Sequence, residues 1–349
     1  MRSSVMVGVL GLGALLVSFA LVFFLWGPAT ATSVSTPATT TAAASAPKAT
    51  PANLAPAGRA ASSPSGFADT TGSIGSMPPA RQPVAVAAAP ACQNPDALGI
   101  SRTVEIDTTD GPGFGLETFK QHDFLQPGEV VLTFDDGPWP HNTPAVLAAL
   151  AANCTKALFF AIGEHSMWAP EILRQVAAAG HTIGSHTWSH KDLAKLSVQD
   201  GKDEIEKGIS AVRWALGVPP APFFRFPALS HAPEMVTYLG ERNIGIFSTD
   251  MDSLDFKIHK PDQVIASVMA KLKKNGKGIV LMHDFQRATA EAAPELLRQL
   301  KVNGYKVVFV KAKMKLSTIA AYDDMIVKNV KLPTLSEHPT SSVVRTIPD

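Results

Sequence analysis

The chain has 349 residues, with 31 Lys and Arg against 30 Asp and Glu, so no charge excess points to nucleic acid as a partner. Its only two cysteines, Cys92 and Cys154, exclude a cysteine-based metal cluster and a dense disulfide framework. A mean hydropathy of +0.10 is high for a water-soluble chain, and the N-terminus accounts for part of it.

After Met1-Arg2-Ser3-Ser4, residues 5–26 are apolar and carry no charge. A helix of that length covers a hydrocarbon core of about 30 Å. It is longer than the apolar core of a cleaved signal, which runs to about 15 residues. Ala29-Thr30-Ala31 still has the small residues of a cleavage site. Residues 1–28 are therefore expected to be a transmembrane anchor or a removed signal segment. Both readings predict export. As an anchor the segment sits in the inner membrane, Arg2 keeps the N-terminus inside, and the rest faces the periplasm or cell exterior; if it is cleaved, the protein is secreted. Residues 29–90 are rich in Ala, Pro, Ser and Thr, too poor in large apolar side chains to offset chain entropy, and are expected to form a disordered linker. Residues 325–349 are expected to be a C-terminal tail.

Between 91 and 324 the pattern changes to short apolar runs alternating with amphipathic stretches. Residues 91–126 are expected to be an arm packed on a domain at 127–324. Strands are expected at 129–134, 157–162, 182–185, 222–226, 244–249, 278–282 and 305–310. Helices are expected at 144–152, 169–179, 198–216, 233–241, 261–274 and 288–303, with Thr143 capping the first and Pro144 in its first turn. Such alternation is the signature of parallel strands joined by right-handed crossovers. The class is α/β, with barrel-like closure of about seven parallel strands, although an open doubly wound sheet has the same local pattern. In an exported chain Cys92 and Cys154 can oxidise, and a Cys92–Cys154 disulfide would tie the arm to the domain; two free thiols are the alternative.

The chemistry collects where strands end. The run Val130-Val131-Leu132-Thr133-Phe134 stops at Asp135-Asp136-Gly137-Pro138, leaving two carboxylates where strand gives way to loop. Neither is cheaply buried as a charge without a cation or donors. About fifty residues on, Ser185-His186-Thr187-Trp188-Ser189-His190 offers two histidines four apart, sharing one face if the segment is helical. With Asp136 they form a metal-ligand set that leaves a coordination position open, as catalytic zinc requires; cobalt or another divalent ion also suits these ligands. His181 reads instead as a packed core histidine. Arg225, Asp250, Asp252 and His283-Asp284 also follow predicted strands. Parallel α/β folds place their sites at the carboxyl ends of strands, so these residues should converge.

Five ordered segments resemble the motifs of the polysaccharide deacetylases, the NodB-homology family of carbohydrate esterases. They are Thr133 to Pro138, Ser185 to His190, Arg225-Phe226-Pro227, Asp252-Ser253-Leu254-Asp255-Phe256 and Ile279 to Asp284. The resemblance covers roughly 127–319. It implies a distorted (β/α) barrel and metal-dependent hydrolysis of N-acetyl groups on N-acetylglucosamine residues of an envelope or extracellular glycan. Removal of O-acetyl groups from an exopolysaccharide is the alternative. Position by position, Asp135 matches the general base and Asp136, His186 and His190 the metal ligands. Arg225 matches the residue holding the base, Asp252 the carboxylate orienting the catalytic acid, and His283 that acid. Leu281 matches the lining of the acetyl-methyl pocket, Ala228 the oxyanion donor through its backbone N–H, and Trp188 falls among the substrate positions. Two departures stand out: Ala228-Leu229 replace an aromatic residue and glycine after the third motif, and Phe256 replaces a tryptophan.

Two rival readings remain. A glycosidase also uses paired carboxylates, but these must flank the scissile bond some 5–9 Å apart, which fits adjacent residues badly. A glycan-binding module with a decayed site is the other.

Overall fold

In the computed structural model, which describes residues 94–329, two short strands lead the domain: β1 (Arg102–Ile106) and β2 (Gly113–Phe114). The apolar run then forms β3 (Glu129–Asp135), buried along its whole length. After it come α1 (Asn142–Ala152), β4 (Leu158–Ala161), α2 (Gly163–Trp168), α3 (Pro170–Ala178), β5 (Thr182–Ser185) and α4 (Val198–Leu216). The remainder is β6 (Phe223–Phe224), α5 (Pro233–Glu241), β7 (Gly245–Phe247), β8 (Met251–Asp252), α6 (Pro261–Asn275), β9 (Gly278–His283), α7 (Arg287–Val302), β10 (Lys306–Ala312) and α8 (Ala320–Asn329).

Every strand pairing is parallel, and the barrel wall runs β2-β7-β6-β5-β4-β3-β9-β8. A sheet covered on both faces needs apolar residues at successive positions, and β3 supplies them. Val130, Leu132 and Phe134 face outward into a core with Val146 and Leu150 of α1, Leu173 of α3, Val268 of α6 and Leu296 of α7. Val131 faces inward with Leu158, Phe160, Phe223, Phe247 and Ile279. Because side chains alternate along a strand, Thr133 and Asp135 share that inward face, and Asp135 emerges at its upper end. The barrel interior is therefore apolar at the base and polar at the mouth.

Three expectations change here. The run at 305–310 does form a strand, but β10 pairs with β3 only at Lys306 and Val307 and then leaves to pair with β1 over five residues, Arg102↔Val308 to Ile106↔Ala312. Val308, Val310 and Ile106 plug the barrel base against Val131, Leu158 and Phe223, so β10 serves as a floor rather than as the seventh stave. The run at 244–249 forms a strand only over β7, and the short β8 follows beyond it. Between them Asp250 bridges the seam, its carboxylate accepting the Ile279 N–H at 2.7 Å and the Leu116 N–H at 2.6 Å. The boundary placed at 324 also moves, since α8 continues to Asn329 and buries Ile326.

Among the described residues no helix is long and apolar enough to cross a membrane. The expected anchor or signal at 1–28, the linker at 29–90, Cys92 and the tail beyond 329 lie outside the described residues. Cys154, just after α1, is disulfide-bonded.

Candidate active site

Asp135 and Arg225 are the innermost charges of the barrel mouth, and both are buried. The Arg225 guanidinium donates from Nη1 to Asp135 Oδ1 at 2.8 Å and to Thr133 Oγ1 at 2.7 Å. It also donates from Nη2 to the Ser248 carbonyl at 2.8 Å and from Nε to the Phe247 carbonyl at 3.2 Å. It lies over the Phe160 ring, 4.4 Å from the centroid. A guanidinium tied at four points and stacked on a ring fixes the Asp135 carboxylate in one orientation. Burial pushes the Asp135 pKa up despite Arg225, so this carboxylate is a stronger base than an exposed one.

Asp136 turns out of the strand at φ 73°, a conformation that non-glycine residues enter at a cost. Its Oδ1 atom is buried and has no hydrogen-bond partner. It stands 3.4 Å from His186 Nε2 and 3.3 Å from His190 Nε2. His186 Nδ1 meets the Arg225 carbonyl at 2.7 Å and must donate to it, which leaves the Nε2 lone pair free to face Asp136. Burial pushes His186 well down, so the ring is neutral, and pushes Asp136 up to about 7, with three nearby carboxylates, Asp135, Asp284 and Asp255, adding to the cost of its charge. An orphaned carboxylate oxygen facing two imidazole nitrogens is what a cation would satisfy. Separations of about 3.3 Å match the edge of a tetrahedron with bonds of about 2.0–2.1 Å. These three residues could hold one metal ion.

The two histidines do not share a helical face. Residues 186–190 form a loop, with Thr187 at φ 67° and His190 at φ 59°. Its shape comes from α4. The Trp188 N–H donates to the Glu204 carbonyl at 2.8 Å, and the buried Glu204 carboxylate accepts Ser189 N–H and Oγ–H, each at 2.9 Å. Gly208 lets the helix approach so closely that a Cβ there would lie 2.4 Å from the Thr187 carbonyl carbon. His181 is, as expected, a core residue: its Nδ1 accepts the Ala157 N–H, and burial drives its pKa to about 3.

Across the cleft, His283 ends β9, but its partner is not Asp252. Asp252 Oδ1 caps its own turn by accepting the Leu254 N–H at 2.8 Å. Leu254 then takes φ 61°, and the reversal carries Asp255 back beneath β9. Asp255 Oδ1 lies 2.6 Å from His283 Nδ1, while Oδ2 accepts the His283 N–H at 2.8 Å and the Thr289 hydroxyl at 2.5 Å. Burial opposes charging His283, but the bond to Asp255 and the Asp255 charge outweigh it and raise its pKa to about 9. The sequence motif contains both aspartates, and spacing alone did not separate the turn former from the histidine partner.

These groups line a cavity of about 370 Å³ that also includes Leu281, Ala228, Leu229, Asp252, Phe226, Phe256 and Glu117. Ala228 sits at φ 52°, and its N–H meets no acceptor among the described residues. Trp188 is not in this wall; its ring packs over Gly163 at the start of α2. Thr143 does not cap α1 either. Its hydroxyl donates to the buried Asp284 at 2.5 Å and accepts the Trp139 N–H at 2.8 Å, while Asp284 accepts the Gly137 N–H at 3.1 Å. Asp284 thereby ties the Asp136 loop to β9. That role is visible only once the two strands are side by side.

A polysaccharide deacetylase family model matches residues 125–244. The chitin deacetylase of Colletotrichum lindemuthianum is 34% identical over 200 residues, which cover 53% of this chain and 79% of that protein. This chain belongs to the polysaccharide deacetylase family. A peptidoglycan-N-acetylglucosamine deacetylase of Bacillus cereus is 30% identical over 184 residues, covering 52% of this chain and 66% of the relative. Against the corresponding Listeria monocytogenes enzyme this chain spans 38% of the relative's length. Among solved structures, a peptidoglycan deacetylase of Bdellovibrio bacteriovorus is similar with a TM-score of 0.57 and 35% identity, over 65% of this chain and 63% of that one.

Proposed function

We propose that this protein is a metal-dependent deacetylase that hydrolyses N-acetyl groups, on N-acetylglucosamine residues, from an envelope glycan reached by export on the N-terminal segment. The single observation that carries the reading is the division of labour around Asp135 and Asp136. Asp135 is bound to Arg225, Asp136 is orphaned beside His186 and His190, and the His283–Asp255 pair stands opposite. That the relatives are named as deacetylases of peptidoglycan and chitin supports amide hydrolysis over ester hydrolysis.

Asp136, His186 and His190 would hold the cation, with zinc favoured by two imidazoles and one carboxylate. Bound there, it would supply Lewis-acid polarisation of the acetyl carbonyl and of the attacking water. The chain's own groups do the rest. Asp135, oriented by Arg225, takes a proton from the attacking water. The Ala228 N–H donates to the oxygen on which negative charge develops. Leu281 lines the space for the acetyl methyl, and His283, charged through Asp255, gives the departing amine its proton.

Acetate release from purified peptidoglycan, chitin oligomers and an O-acetylated exopolysaccharide, with and without chelation and added zinc, tests this. Wild type should release acetate from an N-acetylated glycan without shortening the chain, and Asp135→Asn should lose at least about 10²-fold in kcat while retaining its metal. New reducing ends would mean chain cleavage, and glycan binding without acetate release would mean a binding module. Either result overturns the reading.

A further inference from the structure

A cavity of about 550 Å³ opens at the end of the barrel opposite the cleft. Thr182 at the start of β5 and Ala221 just before β6 line it, whereas Asp135, Arg225 and His283 stand where strands finish. The reaction proposed above uses none of its lining.

Two kinds of side chain meet at its rim. The turn after α4 raises Val218 and Pro219, and the segment after β10 raises Met314. Val218 is 60% exposed and Met314 40%. Leu216 and Ile183 continue the apolar surface inward. Single exposed apolar side chains need no explanation, but several gathered on one cavity mark a contact surface. Lys311 and Lys315 flank them, both exposed, and no carboxylate lines the cavity among the described residues. The nearest acidic groups on this edge are Glu105, beside Lys311 in the β1–β10 register, and Asp107, which is already paired with Lys313 at 3.0 Å.

The chain also reaches the domain at this end. Asn94 Nδ2 donates to the Ala152 carbonyl at 2.9 Å and the Gly99 N–H to the Asn153 carbonyl at 2.9 Å, both where α1 finishes. Three residues on, Lys156 Nζ donates to the Ala179 carbonyl at 2.5 Å, next to His181 in the cavity wall. The uncharged apolar stretch at 5–26 therefore joins the domain on the side that carries the cavity.

Apolar tips flanked by lysines match the face of an anionic bilayer, where apolar side chains dip among acyl chains and ammonium groups meet lipid phosphates. Charge complementarity and the point of chain entry both name that partner. We propose that this end of the barrel rests on an anionic lipid surface through Val218, Pro219, Met314, Lys311 and Lys315. The contact holds the catalytic mouth pointing away from the bilayer, toward the glycan. This rests on the export reading for the presence of a bilayer, and not on the reaction.

Hydrogen exchange of the full chain tests it, followed in peptides spanning 216–221 and 311–316. The vesicles are phosphatidylcholine alone or phosphatidylcholine with about one quarter phosphatidylglycerol. Anionic vesicles should slow exchange in both peptides about tenfold or more, and neutral vesicles should leave it unchanged. Salt at about 1 M, which shortens the screening length to about 3 Å, should remove the protection. Lys311→Glu/Lys315→Glu should lose it as well, and Val218→Asp most of it, with acetate release from soluble oligomers unchanged in each. Unaltered exchange on anionic vesicles would overturn the proposal. So would equal protection on neutral vesicles, or protection already present without vesicles, because another segment or a second copy would then cover the patch. Flotation with neutral vesicles reads the N-terminal segment separately: protein that stays behind has no anchor, while the anionic arm still judges the surface. Absence of acetate release from every oligomer would sink the deacetylase reading and leave the exchange result standing.

Discussion

The two ring nitrogens of His283 have separate tasks, and Asp255 decides which is which. Nδ1 is committed to Asp255 at 2.6 Å, so Nε2 is left to face the cleft and Asp136. A raised pKa means that the acid form is present at neutral pH and disappears as pH climbs through about 9. Removing the Asp255 charge removes the largest force raising that pKa, so the acid form is lost at lower pH. Asp255→Asn should therefore move the alkaline limb of the kcat/KM profile downward by about one unit or more and lower its plateau. Asp252→Asn should leave the limb in place, because Asp252 bonds to the Leu254 N–H and not to His283. A pH-rate series on the two variants checks this, and the opposite ranking would restore Asp252 as the orienting carboxylate.

The metal-ligand loop is shaped by a helix that contributes no ligand. Helix α4 begins at a side-chain cap, with Ser197 Oγ accepting the Asp200 N–H at 3.2 Å, and ends at Gly217 with φ 78°. Between these ends, Glu204 and Gly208 bear on residues 187–189. The apolar periodicity of 198–216 was sufficient to predict the helix, but it carried no sign of which small residue the loop would press against. Gly208→Ala should place a methyl against the Thr187 backbone and destabilise the fold by about 1–3 kcal/mol, since packed regions accommodate added volume poorly. Urea unfolding measures that cost, and zinc titration should show weaker binding because His186 and His190 flank the displaced peptide. A variant with wild-type stability and metal affinity would show that the loop is shaped elsewhere.

For the molecule as a whole, the cluster at the barrel mouth concentrates unfavourable burial. Asp135, Asp136 and Asp284 are all pushed upward mainly by desolvation, with only Arg225 permanently charged among the groups they meet. A cation binding the folded chain and not the unfolded one adds about 2.7 kcal/mol at a free concentration one hundred times its Kd. For a domain of this size that corresponds to roughly 5–10 °C in Tm. Zinc added to chelator-treated protein should produce such a rise, and His190→Ala should abolish most of it. Calorimetry in the two proteins decides the matter; an equal rise in both would place the ion elsewhere.

The chemistry at the strand ends is legible in the sequence alone. Continuous apolar runs specify strands buried on both faces, parallel strands bring their carboxyl ends together, and so Asp135, Asp136, Arg225 and His283 had to meet. Local turns were not legible, because they depend on contacts far apart in the chain. Leu254 at φ 61° selects Asp255 over Asp252, Glu204 and Gly208 hold residues 186–190 in a loop where spacing alone allowed a helix, and Trp188 turns to Gly163 instead of the cleft. The fate of 305–310 is of the same kind. Its composition demands burial, but only the pairing with β1 makes it the floor of the barrel. Side-chain type and period fix which residues are buried and which end of a strand they reach; which neighbour each then touches is set by packing between segments that the linear order keeps apart.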